Sequence, residues 1–237
     1  MSRTITTISQ QAYNILKEDI FSGKYPPGSW LQENDIASKL GISRSPVREA
    51  LRLLVADGIA TVIPNKGIFV RTYTAKDIEN IFEVREAIEN YALMHISSEV
   101  IESKKDILHE EIREFSRLHG DGDLNTYIRL DARFHRQLVD MNENELMSAL
   151  YEKAENMNHQ FRIISLTSKK RFDNSLMEHA SILQCLLDGE KEKACKYNST
   201  HLALARDQVI EYLNSKNADK DNVDISYYRQ KYQDRFR

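Results

Sequence analysis

The feature that most constrains this chain is the scarcity of helix breakers in its last two thirds. Pro64 is the last proline, and glycine is rare after residue 75. Apolar residues there recur at helical spacing, and no strand-like alternation of useful length appears. Helices with one apolar stripe bury it by packing antiparallel to one another. The sequence therefore predicts an antiparallel, all-α helical bundle for residues 75–216.

Polar or glycine-bearing segments divide this region into about six predicted helices. The breaks fall at HGDGD, MNENE, TSKKRFDN and DGEKE. The predicted helices span residues 75–97, 101–118, 123–141, 144–166, 173–187 and 190–215. Residues 217–237 are polar, with three tyrosines and no apolar stripe of useful length, so we expect a flexible tail there.

Residues 1–74 follow a different pattern, in which short helices alternate with turns. A first helix ends near Gly23, and the segment YPPGSWL predicts a turn that runs into a short strand. A short second helix is closed by Gly41, and Ser43 can cap the helix that follows. Two helices joined by a short glycine-bearing turn are the signature of a helix-turn-helix.

The third predicted helix has two distinct faces. Its inward stripe consists of Val47, Leu51 and Leu54. Another face carries, at four-residue steps, Arg44, Arg48 and Arg52. The first turn holds Arg44, Ser45 and Arg48, and this end of a recognition helix meets base edges in the major groove. Arginine suits the task because its planar fork can pair with guanine O6 and N7 or hold a phosphate.

A hairpin follows this helix. The segments IATVI and GIFVR read as strands around the turn PNKG, which places Lys66 and Gly67 at the tip. A basic hairpin tip beside a recognition helix is typical of a wing that contacts the DNA backbone or the minor groove. Three arginines alone can equally be a solvated helix face. The order of turn, capped helix and basic hairpin favours DNA binding.

The charges divide the chain in the same way. Residues 1–75 hold nine Lys or Arg and six Asp or Glu, a net charge of +3, whereas the remainder holds 24 and 30, a net charge of −6. All seven histidines lie in the acidic part. No apolar run approaches the ~20 residues of a membrane span, no secretory signal is evident, and two cysteines make no disulfide framework. We therefore expect a soluble cytoplasmic protein.

Three predicted helices of the bundle bring polar ligands into their apolar stripes. Asp131 and His135 lie one helical turn apart beside a stripe that includes Phe134. His179 interrupts the stripe of Leu176, Ile182, Leu183 and Leu186. His201 interrupts the stripe of Ala194, Tyr197 and Leu204. A single inward histidine is more often a hydrogen-bonded core residue than a ligand. Four such groups could instead be satisfied together by one divalent cation.

Two segments resemble a known family. The stretch LQENDIASKLGISRSPVREALRLLVADGIATVIPNKGIFV closely resembles the winged helix-turn-helix of GntR-family transcription regulators. That resemblance implies operator contacts at Arg44 and Arg48, with Lys66 and Gly67 at the wing. The chain departs from some members by carrying Asn34 where they have an arginine, which alters the expected operator preference.

The second segment extends the resemblance to nearly the whole chain, about residues 8–212. The motifs DARFH, EHASIL and HLALA resemble the effector-binding domain of the FadR subfamily of these regulators, called FCD. In that domain one Asp and three His bind a divalent metal at the centre of a helical bundle. The matching residues here are Asp131, His135, His179 and His201. Three imidazoles and a carboxylate suit Zn, Ni, Mn or Fe and argue against Ca.

A metal of this kind would leave coordination positions free for a small organic acid. Arg85, within the inward stripe of its helix, is the first candidate for the cation that pairs with the acid's carboxylate, and Arg162 is a weaker one. An internal salt bridge from Arg85 to Glu89 is an equal alternative.

These observations predict a mainly α protein with a winged helix-turn-helix (1–74), a metal- and effector-binding, dimerising bundle (75–216) and a polar tail (217–237). The favoured function is a ligand-responsive transcription regulator, most simply a repressor, acting as a homodimer on double-stranded operator DNA. Two alternatives stay open: a metal sensor without an organic effector, and a metalloenzyme with an appended helix-turn-helix.

Overall fold

The computed structural model describes residues 6–119, 124–162, 164–166 and 169–218, and it divides into two compact units between Tyr73 and Thr74. The predicted fold class is confirmed: a helix-turn-helix with a two-stranded hairpin precedes an all-helical unit. The predicted tail lies, from residue 219 onward, outside the described residues.

The first unit contains three helices and the hairpin. The helices are α1 (Ile8–Phe21), α2 (Glu33–Leu40) and α3 (Arg44–Ala56), and the strands are β1 (Ala60–Ile63) and β2 (Gly67–Val70). Helix α1 packs on α3, whose inward residues Val47, Leu51 and Leu54 are fully buried as predicted. Gly41 ends α2 in the left-handed conformation at φ +66°, which glycine adopts without steric cost.

Two local predictions for this unit need correction. Ser43 occupies the N-cap position of α3, but its side chain makes no capping hydrogen bond. The strand expected after YPPGSWL is only a single bridge between Trp30 and Phe69. That bridge lies along the outer edge of β2, whose other edge pairs with β1 in the antiparallel hairpin: Ala60 pairs with Val70, Thr61 with Phe69 and Ile63 with Gly67.

The second unit is built from seven α-helices within the described residues. They are α4 (Ala75–His95), α5 (Ser98–Ser103), α6 (Lys105–Leu118), α7 (Leu124–Asp140), α8 (Glu145–Asn158), α9 (Lys169–Leu187) and α10 (Lys191–Ala218). Helix α4 begins with a capping box in which Thr74 and Asp77 satisfy each other's backbone N–H groups. It packs against α7 and α8, while α6 packs against α9.

The helix boundaries differ from prediction at three places. The predicted break TSKKRFDN is largely helical, because α9 begins at Lys169 rather than at residue 173. The predicted helix 101–118 is two helices, because Ser97 caps α5 from its side chain and the chain leaves helical geometry at Lys104. The predicted helix 144–166 ends at Asn158, a residue with low helix propensity, and continues as short 3-10 turns at His159–Phe161 and Ile164–Leu166. Within the described ranges, every helix is either too short or too polar to span a lipid bilayer.

The predicted stripe of α10 is partly wrong. Ala194 is buried, but Tyr197 and Leu204 are 41% and 44% exposed. The buried face instead runs through Asn198, His201, Leu202, Ala205 and Val209. His201 therefore lies at the middle of the inward face rather than as an interruption of it.

Candidate metal centre and nucleic-acid interface

Four side chains from three helices converge inside the second unit. Helix α7 supplies Asp131 and His135, α9 supplies His179, and α10 supplies His201. Each is at least nine-tenths buried. One ligand atom from each lies within 4.8 Å of the other three. The four residues singled out in the sequence thus meet at one point.

The ligand atoms form a closed ring. The Nε2 atom of His201 lies 3.2 Å from Nε2 of His179 and 3.3 Å from Nε2 of His135. Asp131 Oδ1 completes the ring at 3.6 Å from His179 Nε2 and 3.7 Å from His135 Nε2. Three imidazoles therefore direct the same nitrogen at one centre, opposite a carboxylate oxygen.

Carboxylates outside the ring determine how two of these imidazoles are protonated. Glu89 Oε2 lies 2.9 Å from Nδ1 of His135, and Glu178 Oε2 lies 2.7 Å from Nδ1 of His201. A carboxylate there holds the ring proton on Nδ1, so that the lone pair of Nε2 points at the centre. Burial alone would raise the pKa of Glu89, but His135 and Arg85 hold it well below its ordinary value.

His179 is bound differently from the other two histidines. Its ring lies among the rings of Phe115, Tyr127 and Phe134, at centroid distances of 5.3, 6.1 and 4.2 Å. Among the described residues, no hydrogen-bond partner faces its Nδ1. Burial, together with the neighbouring His201 and His135, lowers the pKa of His179 well below 6.5. A neutral imidazole with an available Nε2 lone pair is the form that binds a metal.

The predicted cation Arg85 is buried beside this centre. Its Nε donates to Glu89 Oε1 at 3.1 Å, so the internal salt bridge considered from the sequence is present. Tyr151 donates to the same oxygen at 2.7 Å. The Nη2 atom of Arg85 nevertheless finds no hydrogen-bond partner in the described part of the chain. Burial opposes the charge of Arg85, but Glu89 outweighs it, so its pKa lies above the ordinary value.

Arg162, the second predicted cation, lies against the carboxylate of Asp131, which is one of the four candidate ligands. Its Nε is 3.5 Å from Asp131 Oδ2, and its Nη2 donates to Glu155 Oε1 at 3.4 Å. Nη1 is buried and has no hydrogen-bond partner within the described ranges.

A small cavity joins these groups. It is lined by Arg85, Arg162, Arg171, Asn158, Ser165 and Ser175, together with ligand side chains. Its volume is about 10 Å³, room for about one water molecule. Besides Arg85 Nη2 and Arg162 Nη1, the Oδ1 atom of Asn158 is buried there without a partner in the described residues. The cavity thus presents unused donors and one acceptor next to the ligand ring.

Sequence reasoning did not assign four residues that support the site: Tyr151, Asn158, Arg171 and Glu178. Glu178 directly precedes His179, and its Oε2 accepts from Arg171 Nη1 at 2.8 Å as well as contacting His201. Its only sequence signal was this adjacency. Asn158 and Arg171 gave no signal, because each reaches the cavity from a helix end whose orientation depends on packing.

The predicted DNA-contacting residues lie on the first unit. Arg44, Ser45 and Arg48 are exposed on the first turns of α3, and Lys66 and Gly67 are exposed at the hairpin tip. Glu33, Asn34 and Arg44 line a surface groove together with Gly67. Gly67 has φ +112°, and a Cβ there would lie 2.8 Å from Nε1 of Trp30, so only glycine fits beside that ring.

Comparison with known proteins matches both units. Residues 8–70 match the family of bacterial regulatory proteins named gntR, and residues 80–204 match the FCD domain. The chain is 33% identical over 192 residues to the HTH-type transcriptional regulator YdhC of Bacillus subtilis, covering 81% of this chain and 86% of that protein. It is 25% identical over 195 residues to the transcriptional repressor RspR of Escherichia coli, covering 82% and 86%.

A solved structure agrees with the fold. The transcriptional regulator GntR from Rhodococcus sp. RHA1 superposes with a TM-score of 0.72 at 24% identity, covering 87% of this chain and 99% of that one. These matches are to DNA-binding transcription regulators and not to enzymes, which excludes the metalloenzyme alternative. The chain belongs to the GntR family of bacterial transcription regulators, with an FCD domain following its helix-turn-helix.

Proposed function

We propose that this protein is a ligand-responsive repressor of the FadR subfamily. In this proposal residues 1–74 bind operator DNA through Arg44, Ser45, Arg48, Lys66 and Gly67. Residues 75–216 bind a divalent transition metal and a small organic acid. The observation that carries the sensing half is a convergence of nitrogens: Nε2 of His135 and Nε2 of His201 face each other at 3.3 Å, while a carboxylate lies beside Nδ1 of each ring. A carboxylate in that position holds the ring proton on Nδ1 and leaves Nε2 as an acceptor.

Two lone pairs at that distance repel unless a cation lies between them. Nitrogens about 2.1 Å from one ion and about 3.2 Å apart subtend about 100° at it, within the range of tetrahedral or octahedral coordination. Asp131 adds a negative charge that offsets part of the ion's charge, and His179 adds a third imidazole. The donor set therefore fits a divalent transition metal.

The ligand types indicate a class of metal and not a single element. Three imidazoles with one carboxylate suit Zn, Ni, Mn or Fe, whereas Ca takes oxygen ligands. Such a metal supplies a Lewis-acidic centre at which a carboxylate oxygen can bind. The protein holds the ligand rings in place through Glu89 and Glu178.

A small carboxylate is the effector class that best matches the buried donors lining the cavity. Arg85 Nη2 and Arg162 Nη1 are buried donors with no partner in the described residues, and burial without a partner is costly. An acid with a carboxylate would satisfy them and reach the metal at the same time. Because the cavity has room for about one water molecule, the acid must displace side chains as it binds. Acid-bound and acid-free bundles therefore differ, as regulation by a ligand requires.

We further propose that the repressor is a homodimer joined through its helical unit. The neighbouring helices α4 and α8 expose large apolar side chains, namely Val84 and Tyr91 on α4 and Leu146 and Leu150 on α8. Exposed apolar patches of this kind mark interaction sites. A second copy is the partner that a pseudo-palindromic operator demands, since two recognition helices must reach two half-sites.

Elemental analysis combined with a thermal-shift screen tests this function. Purified protein should contain close to one equivalent of transition metal, and sugar acids, hydroxy acids or dicarboxylates should raise its melting temperature only when metal is present. If chelation alone changes operator affinity and no acid does, the protein is a metal sensor without an organic effector. Protein that binds no metal under any loading condition contradicts the proposal.

A further inference from the structure

A residue of helix α2 orients Arg48, one of the arginines on the recognition helix α3. Glu33, the first residue of α2, accepts from Arg48 Nε at 3.0 Å through one carboxylate oxygen and from Arg48 Nη2 at 2.9 Å through the other. The two side chains remain partly exposed, at 31% and 53%. A two-point contact between planar groups defines the plane and direction of the guanidinium, which a single hydrogen bond would not.

The contact leaves a specific set of donors for another partner. A guanidinium carries five N–H donors in a fixed fork. Glu33 occupies the side formed by Nε and Nη2, so both N–H groups of Nη1 and the second one of Nη2 stay available. Two adjacent donors at this free end are what a guanine requires for pairing through O6 and N7.

The charge of the pair argues against a phosphate as that partner. The hydrogen bonds from Arg48 lower the pKa of Glu33 below its ordinary value, so its carboxylate stays ionised at neutral pH. The negative carboxylate cancels most of the positive charge that would attract a phosphate. A base edge is neutral and uses only the hydrogen-bond donors, so pairing with Glu33 favours a base over the backbone.

The neighbouring arginine provides an internal comparison. Within the described part of the chain, Arg44 makes one side-chain hydrogen bond, from its Nη1 to Asn34 Oδ1 at 3.3 Å. Asn34 is neutral, so no carboxylate is hydrogen-bonded to Arg44 as Glu33 is to Arg48, and a single contact leaves Arg44 more rotational freedom. The two arginines therefore present different chemistry to DNA, although both lie at the start of the same helix.

We propose that Glu33 is a positioning residue that makes Arg48 a reader of one guanine in each operator half-site. This inference rests on the proposed function, in which Arg48 contacts operator DNA. It predicts that removing the carboxylate weakens base discrimination at one position while strengthening binding to DNA of unrelated sequence.

The test uses the full-length protein and a duplex that it selects from a random pool. Binding is measured to that duplex, to versions with each base pair replaced in turn, and to a scrambled duplex, across a salt series. The variants are Glu33→Gln, Arg48→Ala and the double variant. Asp35→Asn is the matched control, because it removes one exposed negative charge from the same helix without touching Arg48. Melting temperatures establish that each variant is folded.

Arg48→Ala should lose about tenfold or more of the discrimination at one guanine per half-site. Glu33→Gln should lose a similar share at that same position and bind the scrambled duplex more tightly, with a salt dependence steeper by about one released counterion per protomer. The double variant should discriminate no worse than Arg48→Ala. Asp35→Asn should keep the wild-type pattern of discrimination.

Two results overturn the inference. In one, Glu33→Gln discriminates bases as the wild type does while Arg48→Ala does not. In the other, Glu33→Gln strengthens binding to every duplex equally, which would make Glu33 only a competitor for Arg48. If Arg48→Ala itself keeps full discrimination and affinity, the assignment of Arg48 to DNA binding is wrong, and the proposed DNA contacts must be revised first.

Discussion

The Nε2 atoms of His135 and His201 face each other at 3.3 Å, although the two residues belong to different helices and are 66 positions apart in the chain. Each ring is held by a carboxylate on its far side, His135 by Glu89 and His201 by Glu178. The arrangement brings the lone pairs of imidazole nitrogens together inside the helical unit, where buried side chains are ordinarily apolar. Metal content, metal affinity and the pH dependence of stability should all depend on this arrangement.

Replacing His179 with alanine should lower the metal content of the purified protein. His179 contributes one of the three imidazoles, and its position is fully buried. Alanine leaves the metal one ligand short, and no side chain from the surface can reach the vacated position. Elemental analysis should give well under half of the wild-type stoichiometry, and the thermal shift produced by an acid effector should shrink. His95→Ala, at an exposed helix end, is the control and should keep wild-type metal content. Unchanged stoichiometry in His179→Ala would contradict the site.

Replacing Glu178 with glutamine should weaken metal binding without unfolding the protein. The amide can no longer hold the proton of His201 on Nδ1 as a carboxylate does, and loss of such a partner typically costs about 10- to 100-fold in metal affinity. Competition titration against a chelator measures the change. The variant Glu192→Gln removes an equal charge from an exposed position on α10 and should leave the affinity unchanged. Equal affinities for both variants would show that Glu178 has no role at the centre.

The metal-free protein should lose stability as the pH falls below about 6.5. Burial lowers the folded-state pKa of His135, and lowers that of His179 well below 6.5. Below pH 6.5 the unfolded chain therefore binds more protons than the folded chain does. The free energy of unfolding is at its full value above pH 6.5 and decreases as the pH falls. The loss approaches about 1.4 kcal/mol per pH unit for each such histidine. Urea unfolding of chelator-treated protein at several pH values measures it, and constant stability down to pH 5.5 would contradict neutral buried imidazoles.

Replacing Arg44 or Arg48 with alanine should weaken DNA binding by about tenfold or more while leaving the melting temperature nearly unchanged. Both side chains are exposed, and exposed ion pairs such as that of Arg48 with Glu33 contribute about 0–1 kcal/mol to folding. Arg52→Ala, further along the same face, should have a smaller effect because it lies beyond the N-terminal turns. A variant that unfolds instead would show that the recognition face is assigned to the wrong side of α3.

Replacing Leu150 with glutamate should separate the proposed dimer into monomers and reduce operator affinity. Leu150 is 61% exposed on α8, so the charge costs the isolated subunit little but would be buried at the proposed interface. Analytical ultracentrifugation reports the assembly state. Met177→Glu, at an exposed apolar position on α9, is the control and should remain dimeric. A Leu150→Glu dimer of undiminished affinity would move the interface elsewhere.

Some features followed from sequence because they are local. The Gly41 turn, the inward stripe of α3 and the PNKG hairpin each depend on residues within a few positions of one another, and all three formed as predicted. The sequence did not predict correctly which face of the long helix α10 is buried, since Tyr197 and Leu204 are exposed. Its buried face is set by contacts with neighbouring helices, and a mixed polar and apolar pattern leaves that face ambiguous.

The sequence by itself determined which residues could bind a cation, since an aspartate and three histidines on apolar faces are rare unless they are satisfied together. Only the tertiary structure decided that their ligand atoms lie within 4.8 Å of one another, and that Glu89, Glu178 and the arginines surround them. The reason is physical: periodicity fixes the side of a helix on which a residue lies. Which atoms meet across helices depends on how the helices pack, and that is set by contacts between residues distant in the chain.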